Sequence, residues 1–421
     1  MSATVQSYVK TRVLLLTQWF DPEPTFKGLV FARELVRQGF DVEVVTGFPS
    51  YPGGKVYPGY KICWIQRECI DGVQITRLPL YPNHDQSAIK RVLNYASFAA
   101  SALFYGLFMV KRADVMYAYH PPLTVGVAAC LIRWVRSIPL VYDIQDMWPD
   151  TLRATGMLNN PRALGLVGRV CDWVYRRVDH VVVLSPGFKR LLVQRGVPEQ
   201  KIEVIYNWAD ESSLSTPTGA LPANFPGDDR FKIVFAGNMG KAQALDTVLQ
   251  AAEILQGSGS RVCFVMLGGG VEVGRLMERT NALGLDNVVF LPVMPMAEVG
   301  TVLCAADALL VHLRKDPLFE ITIPSKTQAY MAVGRPLLMA VSGDAAYLVM
   351  QSNSGLTAES ETPVALADAA QRLADMPLDQ LQAMGSRARK FYQERLGLAV
   401  GAGRFGDIFK ALTSRDKGCQ R

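Results

Sequence analysis

Short apolar runs recur along the chain. Each leads into a loop and then a stretch where apolar positions return every three or four residues. Residues 12–17 (RVLLLT) are one such run. In 28–40 (GLVFARELVRQGF), Leu29, Phe31, Ala32, Leu35 and Val36 fall at helical spacing, and Gly39 offers a stop. Residues 41–46 (DVEVVT) read as a second strand. A strand, helix and strand in this order predict a parallel sheet. Further strands are expected at 114–119, 138–142 and 179–184. A fresh series starts at 231–236 and runs through 262–267, 288–291 and 307–311, with helices at 241–256 and 270–284.

Between the two series lies ESSLSTPTGALPANFPGDD, residues 211–229, rich in Ser, Pro, Gly and Asp and weakly periodic. The expected organisation is an amino-terminal α/β domain at 1–210, a linker at 211–229 and a carboxy-terminal α/β domain at 230–390. The helical stretch 379–412 makes the last segment, 391–421, a candidate to cross back. A length of 421 residues fits two cores better than one, because single cores stop growing at roughly 250–300 residues. Open parallel sheets bind ligands at the carboxyl ends of their strands. Two such domains facing each other across a cleft would border it with those edges.

One segment departs from the soluble pattern. Residues 92–110 (VLNYASFAASALFYGLFMV) carry no charge, Lys90 and Arg91 precede them, and Lys111 and Arg112 follow. A membrane span needs about 20 apolar residues, but a span here would separate the strands of one sheet. A helix lying in the membrane surface fits better, with Phe104 and Phe108 inserted and the four cations on anionic headgroups. The plainer alternative is a core helix of the first domain.

Composition narrows the class. Hydrophobic residues make up 49% and charged residues 19%, which excludes a disordered chain. A net charge of +6 over this length does not point to nucleic acid. The seven cysteines are odd in number and lack C-x-x-C spacing, as expected of free thiols in a reducing cytosol. MSATVQSYVKTR has no apolar signal core before Val13, so a cytoplasmic protein, peripheral on the inner face of the plasma membrane, is expected. There is no Asp-x-Asp cluster and no His/Cys set with metal spacing, so neither a metal nor a cofactor is expected.

Four stretches carry more specific chemistry. In TQWFDPEPTFKGLVFARELVRQGFDVEVVTG (17–47) a strand turns through a loop into a helix beginning near Gly28. Free amides at a helix start favour phosphate, although an ordinary β–α turn also uses such a glycine. YDIQDMWPDTL (142–152) places Asp146 after a strand, as a polar contact or as a helix cap. His120, in YHPPL, ends another strand. In VFAGNMGKAQALDTVLQAA (234–252) a strand ends at Gly237 and Asn238, and Lys241 follows. FEITIPSKTQAYMAVGRPLLMA (319–340) contains Glu320, Lys326 and Gln328 ahead of Gly334 and Pro336, which suit a turn into the next strand.

Together these stretches resemble, in order and over nearly the whole chain, the retaining nucleotide-sugar transferases of glycosyltransferase family 4. They are especially similar to the bacterial O-antigen and capsule branch, including L-fucosamine transferases. The resemblance implies the GT-B fold, an α/β architecture of two Rossmann-like domains. It also implies a nucleotide-sugar donor, retention at the sugar C1 and no bound metal. On this basis Gly28, Lys241 and Lys326 hold the donor diphosphate, and Gly237 and Asn238 also belong to the donor-binding set. Glu320 contacts donor sugar hydroxyls, and Gln328 the ribose. Asp146, Glu320 and Lys241 carry catalysis, while His120 and Asp146 shape the acceptor side.

Two departures from the family pattern stand out. Gln145 occupies a position where the family often has His. Ala329 replaces the second glutamate of the family pair, and Glu320 lies one position before the register of the first. The membrane-seeking segment suggests a lipid-diphosphate-linked sugar acceptor, and UDP-N-acetyl-L-fucosamine is the specific donor expected. Two rivals share the build: a nucleotide-sugar epimerase and a non-catalytic membrane scaffold. An NAD-dependent dehydrogenase would need G-x-G-x-x-G after a strand, where this chain has TQWFDPEP.

Overall fold

The computed structural model describes residues 10–83, 88–215, 219–227 and 229–419. The first nine residues, used above to judge export, lie outside this set, as do 216–218 and 228 of the expected linker. The chain forms two compact units. One comprises the chain up to Leu184, Phe188–Ile205 and the segment from Gly401 onward; the other comprises Ser185–Gly187 and Tyr206–Val400.

The first unit holds an eight-stranded sheet in the order β3-β4-β2-β1-β5-β6-β7-β8. Its strands are β1 (Arg12–Leu16), β2 (Asp41–Gly47), β3 (Gln66–Ile70), β4 (Val73–Leu78), β5 (Val115–His120), β6 (Leu140–Ile144), β7 (His180–Val183) and β8 (Ile202–Val204). All neighbours are parallel except β3 and β4. That edge hairpin was not expected from the apolar pattern. Its turn is Asp71-Gly72, both at positive φ, a pairing that matches the twist of two-residue hairpins. Strands buried on both faces read as continuous apolar runs, and β1 and β5 do so.

Helix α1 (Leu29–Arg37) follows β1 and ends before Gly39 at φ +95°. Helix α2 (Ala88–Phe108) covers most of the uncharged segment. Its Phe98, Ala102 and Tyr105 are buried, so one face belongs to the core. Gly106 of α2 meets Ile132 of α3 (Leu123–Arg136), and the Arg136 guanidinium donates to the carbonyls of Gly106 (2.9 Å) and Val110 (2.7 Å). Charge at that end satisfies carbonyls that the helix leaves unpaired. The opposite face of α2 is apolar and exposed: Phe104 is 45% exposed and Phe108 72%. The expectation of a core helix therefore holds for one face of α2, while the other face is apolar and exposed. No helix among the described residues is long and apolar enough to cross a membrane.

The second unit holds a fully parallel six-stranded sheet in the order β11-β10-β9-β12-β13-β14. Its strands are β9 (Phe231–Ala236), β10 (Val262–Leu267), β11 (Val288–Leu291), β12 (Ala308–His312), β13 (Leu337–Ala340) and β14 (Gly355–Thr357). Helices cover both faces. Ile233 and Phe264 pack toward the helices Asp246–Gly257 and Pro363–Ala374. Val234 and Leu309 pack toward Ser325–Val333 and Asp344–Ser352.

The expected helix 379–412 is broken. It runs as Leu378–Phe391, passes through a π-turn at Tyr392–Leu396, and restarts after Gly397 as Leu398–Cys419. Glu211 fixes the break: its carboxylate accepts from the Tyr392 hydroxyl at 2.8 Å and from the Leu398 amide at 2.9 Å. Residue 211, expected to open a loop, instead starts the short helix Glu211–Ser215. Beyond the break, Phe405 packs on Phe31 (5.2 Å between centroids) and Tyr117 (5.5 Å) in the first unit's core. Truncation of a buried Phe costs about 3–5 kcal/mol. Phe405→Ala should destabilise the first unit by that amount in urea unfolding; a midpoint equal to wild type would mean that the terminal helix adds nothing to this core.

Candidate functional site

In a doubly wound sheet the strand order reverses once, and the loops leaving the carboxyl ends at that point diverge to opposite faces. The reversal falls between β1 and β5 in the first unit and between β9 and β12 in the second.

In the first unit β6 carries a carboxylate within an apolar strand (LVYDI). Asp143 is fully buried and accepts from the Tyr117 hydroxyl and the Gln145 amide, both at 2.6 Å. Burial pushes its carboxyl above the usual range, while attraction to Lys27 and the two hydrogen bonds pull the other way. Lys27 is buried as well. Desolvation lowers its ammonium to about 8 against the pull of Asp143, and it lies over the Phe405 ring at 5.3 Å. This charged pair was missed in the sequence, although an Asp inside an otherwise apolar strand was its signal.

Beside it, Asp146 follows β6, and burial raises its carboxyl to about 6. Gln145, which stands where the family often has His, is turned toward Asp143. His120 was expected to stand open at the end of β5. It is 1% exposed, between the rings of Tyr142 and Trp148, and neither ring nitrogen has a hydrogen-bond partner. Burial lowers its imidazolium to about 3, so the ring is neutral at physiological pH.

The start of α1, expected to receive phosphate at Gly28, already holds an anion. The Asp21 carboxylate accepts from the Leu29 amide at 2.6 Å, and a Cβ at Gly28 would lie 2.1 Å from its Oδ2. Gly28 is thus required by the approach of Asp21. A second buried acid, Glu23, accepts from the amides of Phe20 (3.2 Å), Ser50 (2.7 Å) and Tyr51 (2.7 Å), tying the loop after β1 to the loop after β2.

In the second unit the loops after β9 and β10 are laced together. Gly237 N–H donates to Leu267 at 2.8 Å and Met239 N–H to Gly269 at 2.7 Å. Gly268 and Gly270 have positive φ, and a Cβ there would lie 2.3 Å from the carbonyls of Gly237 and Met239. The glycine run 268–270 thus serves close backbone approach. Lys241 is exposed on a single 3₁₀ turn, Lys241–Gln243, rather than on the expected helix. That turn is fastened to the end of β12 by His312 Nδ1 at 2.7 Å from the Gln243 carbonyl. Asn238 is exposed, and so is Glu320, at the end of the short helix Pro317–Glu320.

Lys326 is different. It lies on the first turn of the helix Ser325–Val333, whose start carries no side-chain cap. Its Nζ stands 4.0 Å from the Phe235 ring centroid, and a Cβ at Gly237 would come within 2.7 Å of it. Burial lowers the ammonium to about 8, and no charge among the described residues offsets it. Lys326 thus stands desolvated on the first turn of a helix whose start has no side-chain cap. Gln328, two residues on, is 2% exposed. In the orientation that satisfies its amide it donates to the carbonyls of Pro324 (2.8 Å) and Ser325 (3.2 Å). Its side chain is therefore used within its own helix turn.

Comparison with known proteins covers both units. The family described as "Glycosyl transferase 4-like domain" matches residues 29–208, and "Glycosyl transferases group 1" matches 230–376. The chain is 27% identical to "Putative colanic acid biosynthesis glycosyl transferase WcaI" of Escherichia coli (strain K12), over 71% of this chain and 75% of that one. It is 23% identical to "Probable glycosyltransferase WbjE" of Pseudomonas aeruginosa, over 73% and 77%. Among solved structures, Anabaena HepE in complex with UDP and glucose superposes with a TM-score of 0.67 at 15% identity, covering 95% of this chain and 100% of that one.

The buried pair in the first unit generates a stability prediction. Removing one partner of a buried ion pair costs roughly 3–5 kcal/mol. Lys27→Met should lose about that much, and adding Asp143→Asn should restore part of it. Denaturant titration of the two variants checks this, and a single variant as stable as wild type would contradict it.

Proposed function

The chain belongs to the GT-B glycosyltransferases, and we propose that it moves a sugar, with retention at C1, from a UDP-sugar to a lipid-diphosphate-linked saccharide during bacterial surface polysaccharide synthesis. The observation that carries the donor assignment is Lys326, a half-buried cation beside the Gly237 loop with no carboxylate acting on it among the described residues. A diphosphate brings the negative charge that this arrangement lacks. The UDP of the HepE complex and the polysaccharide named for WcaI support the choice of donor and pathway.

In the proposed reaction the bond between the donor C1 and the diphosphate oxygen breaks as the acceptor hydroxyl oxygen bonds C1 from the same face. The acceptor's proton passes to the departing diphosphate. Lys326 and the free amides at the start of Ser325–Val333 stabilise the charge that develops there, with Lys241 and Asn238 closing the exposed side, and no metal is required. Glu320 takes donor sugar hydroxyls, and Asp146 takes an acceptor hydroxyl. UDP-N-acetyl-L-fucosamine is the first donor to try.

The acceptor's lipid is inferred from α2. Ile89, Val92, Leu93, Phe104 and Phe108 leave its outer face apolar, Trp64 packs edge-on against Phe104, and the adjacent end of α3 exposes Trp134 and Val135. Lys90, Arg91, Lys111 and Arg112 flank the helix. Apolar insertion with basic flanks suits the anionic inner face of the plasma membrane.

The decisive assay incubates the protein with a panel of UDP-sugars and a lipid-diphosphate GlcNAc acceptor, following UDP release and product mass. Acceptor-dependent release with the matching mass gain is expected. Donor conversion without acceptor would indicate an epimerase, and no turnover with any donor would favour the scaffold.

Two variants test the parts. Charge-assisted hydrogen bonds contribute about 1.5–3 kcal/mol, so Lys326→Ala should weaken UDP binding by roughly 10- to 100-fold. The ammonium carries its charge below about 8, so wild-type UDP affinity should fall as pH rises through that value, and the variant should lose this dependence. Calorimetry at several pH values reads both effects. Phe104→Asp with Phe108→Asp should release the protein from anionic vesicles; unchanged flotation of the double variant would remove the membrane assignment.

A further inference from the structure

We propose that Trp19, Tyr51 and Tyr95 form a stacking platform for a pyranose ring at the carboxyl edge of the first unit's sheet. Resting on the transferase reading above, the platform receives the sugar of the acceptor. The C–H bonds on one face of a pyranose are slightly positive, and an aromatic ring offers a negative face to meet them.

Trp19 leaves the carboxyl end of β1, at the reversal of strand order. Its ring centroid lies 4.8 Å from that of Tyr51, at an interplanar angle of 33°, and 6.3 Å from that of Tyr95, at 75°. All three rings are partly open. Core packing does not account for them, because Phe20, Phe48 and Phe98, on the same three segments, are fully buried and already supply it.

Two buried polar tethers hold the platform rigid. Gln18, next to Trp19, donates to Asn94 Oδ1 at 2.6 Å, and Asn94, next to Tyr95, donates to the Tyr81 carbonyl at 2.7 Å. Glu23 accepts from the Tyr51 amide at 2.7 Å. Rings fixed before binding lose little freedom on contact with a ligand.

The surroundings specify the ligand further. Asp146 is near enough for its charge to act on the Tyr95 hydroxyl, and it offers a carboxylate to a sugar hydroxyl at the rim. Tyr95 also lies on α2, two residues beyond the exposed Leu93. A saccharide on the platform would therefore sit beside the start of the apolar face of α2. The assigned ligand is the sugar of a lipid-linked saccharide.

Saturation-transfer NMR with methyl N-acetyl-β-D-glucosaminide tests this on the full-length protein, with UDP binding measured separately by calorimetry. The wild type should saturate the ring protons of the glycoside. Trp19→Ala and Tyr95→Ala should each weaken its binding by about tenfold, the equivalent of about 1.4 kcal/mol, with UDP affinity unchanged. Tyr95→Phe, which keeps the ring, and Trp173→Ala, on the helix Pro161–Arg177 outside the platform, should bind as wild type. Glycoside binding that survives both alanine variants overturns the platform, as does a wild type that binds UDP but saturates no ring proton. A wild type that binds the glycoside through these rings but not UDP keeps the platform and removes the donor reading.

Discussion

A parallel sheet sends every strand's carboxyl end to one edge, and where strand order reverses, the loops above that edge part to opposite faces. This constraint acts once in each unit. It brings Trp19, His120 and Asp146 to one edge in the first unit and Gly237, the Lys241 turn and the end of β12 to the other in the second. Loop chemistry then decides what each edge can hold. In the second unit glycines let two backbones nearly touch, which laces the loops after β9 and β10 together. In the first, the acids Asp21 and Glu23 take up amides of α1 and of the loop after β2.

Lys27 and Lys326 show how one residue type serves opposite ends. Both are desolvated, and burial lowers both to about 8. Lys27 is buried with Asp143, and the pair joins the loop after β1 to the middle of the sheet. Lys326 has the Phe235 ring beside it and, among the described residues, no carboxylate acting on it, so its desolvation is not offset by an opposite charge as that of Lys27 is. A buried charge that lacks its counter-charge is costly to maintain, which makes it a marker of binding.

Much of the fold was legible because parallel strands are buried on both sides and appear as unbroken apolar runs. The bounds expected for β9, β10 and β11 coincide with those observed. The hairpin β3–β4 escaped because its strands mix Arg, Glu and Gln with apolar residues, and only Asp71-Gly72 betrayed it. The helix break at Gly397 depends on Glu211, far away in sequence, which no local pattern contains.

For the site, the family resemblance named Lys326 and Asp146 as candidates, and both are desolvated in the structure. It could not show that Gly28 is filled by Asp21 or that Gln328 is turned inward, because both depend on which polar group reaches an amide or carbonyl first. The uncharged run 92–110 was visible at once. That one of its faces is buried and the other exposed became visible only when α2 was seen against α3.

The double duty of α2 divides its residues into two regimes of permitted change. Inward positions such as Phe98 and Tyr105 must fit a fixed volume, and even one methylene is felt there. Outward positions such as Ile89, Val92 and Phe108 are exposed and meet no such fixed volume, so their shape is free to vary. Descendants of this sequence should therefore drift freely among Leu, Ile, Val, Met and Phe along one stripe of the helix while holding still along the other. The two stripes would then record separate selection by protein packing and by the surrounding medium.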